Sequence, residues 1–423
     1  MFLKYLRLQN VRCFKDIELD FTQATTRSRG SNRKWTIILG ENGTGKSTLL
    51  RAAALATCGS EAVAEVIGNP RGWVRRGTRR AVLAATLQTK AGEDRDIELV
   101  INKGDSLSQV ITRASKGLDL LDDALEHADR NYFVAGYGPS RRYSDAVLGT
   151  EGSRFHSARA QNVATLFDRD AELNPLEAWA MTLDYEQGEE GVAIVQKALS
   201  AFLPGLRFDH IDRKRRTLMF RTPDGVIPLS YLSDGYQNVA CWVGDMLYRV
   251  YQTFDDYSEP LRTRGLLIVD EIDLHLHPIW QRRLHDFLNT KLPNMQLLVT
   301  THSAVTAQQS GPFEIHYLKR QGKAVGLERF EPDPGSLLIS QLLMTEAFGL
   351  STDESKGLED KRKRYRKLRD ADQLSARQER ELNKLATDID ASLTERTEQF
   401  GISDTQLKRL QAVQAQARRK KQS

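Results

Sequence analysis

The chain has 423 residues, 40% hydrophobic and 28% charged, which excludes a disordered polymer and predicts two or three lobes at roughly 100–200 residues per domain. No apolar run nears the roughly 18 residues of a membrane span, no secretory signal is read at residues 1–7, and three cysteines without metal-ligand spacing (Cys13, Cys58, Cys241) exclude a disulfide scaffold or zinc ribbon and point to a reducing cytoplasm. The net charge of +5 resides in residues 351–423, which hold 18 Lys/Arg and 13 Asp/Glu against 43 of each sign before them; a neutral body with a basic tail is better evidence for a separate structural unit than for nucleic-acid binding.

In chain order, Leu6 and Leu8, then Ile17, Leu19 and Phe21, alternate with polar residues and predict two strands. A polar loop over 25–34 leads to a buried strand over 35–39, then glycines, then a helix over 47–56. Strands follow over 80–87 and 96–101, linked by a polar turn at 91–94, with a buried strand over 132–138. Residues 160–203 read as helical, 206–229 as a hairpin turning at Pro223-Asp-Gly, and 234–254 as a helix. Strand, helix and strand follow over 265–269, 278–288 and 295–299. Continuous apolar strands alternating with helices predict an α/β fold with a mostly parallel core. After residue 354 glycine and proline nearly vanish, and an amphipathic helical pair is expected over 354–372 and 375–400, with another helix from 405. Its stripe, Leu382, Leu385, Ile389 and Leu393, either closes a helical hairpin or docks a partner protein.

Four motifs carry chemistry. Gly40-Glu41-Asn42-Gly43-Thr44-Gly45-Lys46-Ser47-Thr48 fits G-x-x-x-x-G-K-[ST] between a predicted strand and helix. Such a loop turns its backbone N–H groups onto phosphate oxygens, with Lys46 as a point charge between the β- and γ-phosphates and Ser47 on Mg²⁺. Leu266-Leu-Ile-Val-Asp270-Glu271 ends an apolar strand in two acids; Asp270 is expected in the Mg²⁺ shell and Glu271 as the base that polarises water. Leu232-Ser233-Asp-Gly235-Tyr-Gln237 opens a helix whose N-terminus favours anions. Leu297-Leu-Val-Thr-Thr-His302-Ser303 ends the next strand in a histidine, where a γ-phosphate sensor belongs.

In this order the motifs resemble ATP-binding-cassette ATPases, and more narrowly the soluble heads related to the structural-maintenance-of-chromosomes and RecF families. The opening Asn10-Val-Arg12-Cys-Phe14 resembles the N-x-R-x-F start of those heads and makes Arg12 a candidate nucleotide contact. The resemblance implies ATP and Mg²⁺ as cofactors, and a head-to-tail homodimer or higher oligomer. In it, Ser233, Gly235 and Gln237 of one subunit face ATP on the phosphate loop of the other. It implies a head over 1–350, with a nucleotide-binding α/β lobe from 1–140 and 260–350, an antiparallel β subdomain and a helical signature lobe over 155–255; a helical appendage follows over 351–423. No glutamine-loop residue can be placed: Tyr-Gly-Pro-Ser-Arg-Arg after the 132–138 strand lacks one, and Gln161 lies later. The segment between Lys46 and Ser233 lacks sustained heptads, which excludes a chromosome-condensing rod. Leu-His275-Leu-His277-Pro after the acids and Glu346-Ala-Phe348-Gly-Leu resemble stand-alone bacterial ATPases, in particular the ATPase subunits of Septu-type anti-phage systems, which work with an HNH nuclease. The expected function is therefore an ATPase that regulates a partner nuclease. The alternative is a RecF-like clamp that binds DNA itself.

Other features read more plainly. Lys361–Arg369 holds seven basic residues in nine and is expected as a solvated face pairing with nearby acids, with DNA contact as the other reading. Arg213–Arg216 is a second DNA candidate. His275 and His277 lack further zinc ligands, and Trp73, Trp179, Trp242 and Trp280 are expected in cores or interfaces.

Overall fold

The computed structural model describes residues 2–22, 33–89, 92–127, 132–141, 155–174, 176–203, 206–254, 260–371 and 374–399. The expected turn at 91–94, the loop at 25–34 and the helix from 405 fall partly or wholly outside these residues. The strands are β1 (Phe2–Val11), β2 (Phe14–Asp20), β3 (Trp35–Gly40), β4 (Arg80–Gln88), β5 (Asp94–Asn102), β6 (Phe133–Tyr137), β7 (Arg207–Asp212), β8 (Thr217–Thr222), β9 (Gly225–Pro228), β10 (Gly265–Val269), β11 (Met295–Thr300), β12 (Ile315–Gln321) and β13 (Ala324–Arg329). The helices are α1 (Lys46–Leu55), α2 (Ser60–Val66), α3 (Leu107–His127), α4 (Ala158–Gln161), α5 (Ala164–Phe167), α6 (Leu176–Gln187), α7 (Glu189–Phe202), α8 (Asp234–Thr253), α9 (Pro278–Lys291), α10 (Ala304–Gln308), α11 (Ile339–Leu343), α12 (Lys356–Arg369) and α13 (Ala376–Gln399).

Among the described residues ten strands form one sheet in the order β5-β4-β1-β2-β13-β12-β3-β11-β10-β6. Neighbours from β12 through β3, β11 and β10 to β6 are all parallel. β5, β4, β1 and β2 form an antiparallel arm; its β2 meets β13, antiparallel to β12, in a parallel contact between Phe14 and Val325. Parallel strands need both faces covered, and the apolar runs supply both. Leu266 and Ile268 of β10, Ile38 of β3 and Leu298 of β11 face the core under α1, α2 and the antiparallel arm. Leu267, Val269, Ile37, Leu39, Leu297 and Val299 face a second core built with α6 to α9. The carboxyl ends of the parallel strands, where open α/β sheets bind ligands, converge at Gly40, Asp270 and Thr300.

Two expectations need correction. Residues 206–229 form a three-stranded meander, not one hairpin. Four consecutive basic residues, Arg213–Arg216, interrupt the apolar alternation and make an extra turn, with Arg216 at φ 53°; the turn at Pro223-Asp is the second. The expected helical stretch over 160–203 is broken, since 168–174 is polar and irregular and Gly188, at φ 59°, separates α6 from α7.

The described residues divide into two compact units between Gly349 and Leu350. In the second unit α12 packs on α13. Lys361–Asp388 at 2.9 Å and Arg364–Glu381 at 2.9 Å cross between the two helices, and Arg362 pairs with Glu354 at 3.0 Å. The basic run is thus drawn into ion pairs, and Leu382, Leu385 and Ile389 are half-buried; the side chain of Leu393 lies outside the description. Among the described residues no helix is long and apolar enough to cross a membrane.

Candidate active site

The loop from Gly40 to Gly45 closes on itself before α1 begins. Thr44 Oγ1 donates to the Glu41 carbonyl at 2.7 Å, and Lys46 Nζ donates to the carbonyls of Gly40 (2.7 Å) and Glu41 (3.1 Å). Gly45 sits at φ 101°, and a Cβ there would lie 2.5 Å from Cys13 Sγ, so both conformation and packing demand glycine. α1 starts with no side-chain cap and no acid in its first turn, which leaves N–H groups open to an anion. Burial lowers the Lys46 ammonium from its ordinary range, and Asp270 and Glu271 partly oppose this.

β10 delivers Asp270 to this loop. Its Oδ2 accepts from Ser47 Oγ at 2.5 Å, across 223 positions of sequence, and its Oδ1 accepts from Thr300 Oγ1 at 2.5 Å. A hydroxyl and a carboxylate side by side are the hard oxygen donors Mg²⁺ takes in phosphate sites, where substrate and water complete the shell. Glu271 follows at φ 51°, a conformation costly for a non-glycine residue. Its backbone is clamped from three directions: its N–H donates to Thr300 Oγ1 at 2.8 Å, and its carbonyl accepts from Arg141 Nη2 at 2.6 Å and from the Leu274 N–H at 3.0 Å.

His302 ends the neighbouring strand and is exposed. With Thr301 it lines a cleft of about 180 Å³ together with Gly40, Glu41, Asn42 and Phe348. Burial of the ring and then Lys46 lower its pKa, so the imidazole is neutral near pH 7. Ser233 and Gly235 line a different cavity, of about 430 Å³, with Tyr236, His275 and Trp280. Ser233 is exposed as the N-cap residue of α8 and makes no side-chain cap bond. A Cβ on Gly235 would meet the His275 carbonyl at 2.8 Å, so this glycine lets α8 rest on the loop after the acids. Gln237 Nε2 donates to the carbonyls of Leu232 (2.6 Å) and Ser230 (3.1 Å) and so ties the turn before α8.

Other candidates find plainer roles. Arg12 stacks its guanidinium 4.3 Å above Trp73 and donates to the Gly72 carbonyl. Gln161 donates to the carbonyls of Phe155 and His156. His277 Nδ1 accepts from the Ile279 N–H as the cap of α9. Among the described residues no three His, Cys, Asp or Glu side chains converge as a metal cage.

Sequence reasoning passed over three residues here. Arg141, 5% exposed, faces Asp270, Glu271 and Asp273. Asp273, also buried, accepts from Thr301 Oγ1 at 2.8 Å and Thr306 Oγ1 at 3.0 Å. Thr300 bridges both acids. The only sequence signals were an arginine two positions past a strand-ending Gly-Pro and threonines after an apolar run.

Comparison with known proteins finds the following likenesses. The Septu protein PtuA of Bacillus mycoides (strain KBAB4) is 24% identical over 352 residues, covering 82% of this chain and 45% of that protein. The "Retron Ec83 probable ATPase" of Escherichia coli is 32% identical over 121 residues, covering 28% of this chain and 22% of that one. The chain spans less than half the length of either relative. A solved SmcHead bound to the C-winged helix domain of ScpA aligns with TM-score 0.46 and 13% identity over 78% of this chain and 98% of that one. Residues 36–307, more than half of the chain and reaching from β3 past His302, match the family described as "AAA domain, putative AbiEii toxin, Type IV TA system", and the chain belongs to that family of ATPases.

Proposed function

We propose that the chain hydrolyses Mg²⁺-ATP between two head-to-tail copies of itself, and that this cycle regulates a separate nuclease, of HNH type, in anti-phage defence. The observation that carries the ATPase reading is the contact of Ser47 Oγ with Asp270 Oδ2, which joins phosphate loop and acidic strand in one donor pair. Ser47 and Asp270 hold Mg²⁺, which supplies neutralising charge at the phosphate oxygens. Lys46 and the open start of α1 bind the phosphates. Glu271, held by its clamped backbone, orients and deprotonates the attacking water, and His302, from the cleft it shares with Gly40 and Asn42, contacts the terminal phosphate. The exposed Ser233, in a cavity apart from the phosphate loop, supports a signature that acts on the partner's nucleotide. Regulation of a nuclease in defence rests on the likeness to the Septu and retron proteins. The clamp reading gains no comparable support, since Lys361, Arg362, Lys363 and Arg364 of the α12 run are ion-paired, as are Arg213 with Asp184 and Arg215 with Asp212.

Subunit mixing tests the composite site. Lys46→Ala and Ser233→Arg should each abolish turnover alone. Mixed under verified exchange, they should regain activity, because half of the composite sites in a mixed dimer are intact. Absence of rescue argues for a site complete within one chain.

A further inference from the structure

Arg141 is the most exposed contradiction in the packing of the site. It is 5% exposed, and Nη2 alone has a partner, the Glu271 carbonyl at 2.6 Å. Nε and Nη1 are buried and find no hydrogen-bond partner among the described residues. A guanidinium with two unsatisfied N–H edges in a dry site is costly, because a charged donor forfeits more on desolvation than a neutral one. The nearby carboxylates do not relieve it. Both oxygens of Asp270 are already engaged by Ser47 and Thr300, and the Asp273 carboxylate is engaged by Thr301 and Thr306. Asp270, Glu271 and Asp273 nonetheless keep the guanidinium charged at neutral pH, although burial pushes its pKa down to about 10. The residue is therefore a fixed cation, anchored at one nitrogen, with Nη1 and Nε left to donate beside the acids. Charge-assisted donation from a guanidinium suits phosphate oxygens.

We propose that Arg141 reads the terminal phosphate of ATP within its own chain, its unpaired Nη1 donating to a γ-phosphate oxygen while Nη2 holds the Glu271 carbonyl. One side chain then links the presence of that phosphate to the backbone of the base. This rests on the ATP-site reading above. It differs from the role of Lys46, whose ammonium leans on the loop carbonyls of Gly40 and Glu41. ADP offers no oxygen at that position, so Arg141 contributes to the preference for ATP over ADP and little to affinity for the nucleotide as such.

Calorimetric titration of Mg²⁺-ATP and Mg²⁺-ADP into the Glu271→Gln protein tests this without turnover. Adding Arg141→Gln should weaken ATP binding roughly ten- to hundredfold, the factor carried by lost charge-assisted hydrogen bonds, while the ADP Kd stays within about twofold, the scale of an unchanged contact set. Arg141→Lys keeps the charge and should recover part of the ATP preference; it also serves if the glutamine variant does not fold, its thermal midpoint being read beforehand. Equal loss of ATP and ADP affinity would mean that Arg141 only supports the fold, and an unchanged ATP-to-ADP ratio would overturn the assignment. Lys46→Ala is titrated alongside. If it binds ATP as tightly as the parent, the ATP site itself is misplaced; if it loses ATP while Arg141→Gln keeps its ratio, only the reading of Arg141 fails.

Discussion

Replacing Thr300 with valine removes one oxygen and changes little else in shape. Thr300 is fully buried at the end of β11, and its hydroxyl makes two bonds, donating to Asp270 Oδ1 at 2.5 Å and accepting from the Glu271 N–H at 2.8 Å. The first is charge-assisted, worth about 1.5–3 kcal/mol, and losing the second strands a donor at about 1–3 kcal/mol. The added methyl returns about 0.8 kcal/mol of burial. Thr300→Val should therefore lose about 2–5 kcal/mol of stability. Thr300→Ser keeps both bonds, forfeits one methyl, and should lose about 1 kcal/mol. Urea unfolding followed by tryptophan fluorescence gives the order directly, with unchanged m-values showing that the denatured state is not responsible. The same variants should differ in catalysis, since only valine frees both acids: Thr300→Ser should turn over ATP near the parent rate and Thr300→Val should not. A valine variant as stable as the serine one, or as active, would refute the bridging role.

Glu271→Gln should retain ATP binding and hydrolyse it about 10²–10⁴-fold more slowly, the range for loss of a general base; a normal single-turnover rate would place the base elsewhere. Gly235→Ala should lower the thermal midpoint, because its Cβ would stand 2.8 Å from the His275 carbonyl, whereas relief of helical glycine alone would raise stability by about 1 kcal/mol. His316 is buried beside Arg33 and Arg329, and burial first, then those charges, hold its pKa down to about 3. Its unfolded state binds a proton below about pH 6.5 and its folded state does not, so stability present above that pH falls by about 1.4 kcal/mol per pH unit toward pH 3; His316→Gln should flatten this slope in urea titrations from pH 7 to 4.5, and an unchanged slope would assign it to other groups. Leu385→Asp with Ile389→Asp should reduce helix content by circular dichroism yet leave ATP binding intact, because the ATP-site motifs end before residue 305; lost ATP binding would tie the appendage to the head.

The parallel core was legible because its strands are short apolar runs with punctuation. Residues 35–39 end in a glycine loop and 266–269 in two acids, and burial on both faces leaves no other reading of such runs. The phosphate loop, Asp270 and Glu271 were legible for a related reason, since their chemistry requires fixed residue types at fixed spacing. Long-range satisfaction of polar groups was not legible. Nothing near Arg141 in sequence says that its partner is a carbonyl 130 positions on, and nothing in Thr-Thr-His-Ser says that the first threonine bridges both acids. α3 was also missed, although Val110, Ala114, Leu118 and Leu121 line up at helical spacing; charges between them masked the stripe. The bend at Arg213–Arg216 was read as strand because the flanking alternation was strong enough to carry through it.

α8, whose start carries the proposed signature residues away from the phosphate loop, is tied by contacts to the acids. Near its middle, Asp245 is fully buried and accepts from Tyr137 Oη at 2.9 Å, Arg249 Nε at 2.6 Å and the Asn174 N–H at 2.8 Å. Tyr137 is the last residue of β6, four positions before Arg141, whose guanidinium holds Glu271. At its N-terminus α8 lies against the His275 carbonyl through Gly235, and His275 belongs to the segment that begins at Glu271. Helix and acids are thus joined at two places, one through β6 and one through the 271–275 loop. Sliding α8 against β6 breaks the bond that Tyr137 Oη donates to the buried Asp245 carboxylate, a loss of about 1.5–3 kcal/mol, a sizeable share of a marginal total stability. Sliding α8 locally against β6 is therefore unfavourable. A hinge within α8 would in addition have to break hydrogen bonds that the helix itself makes.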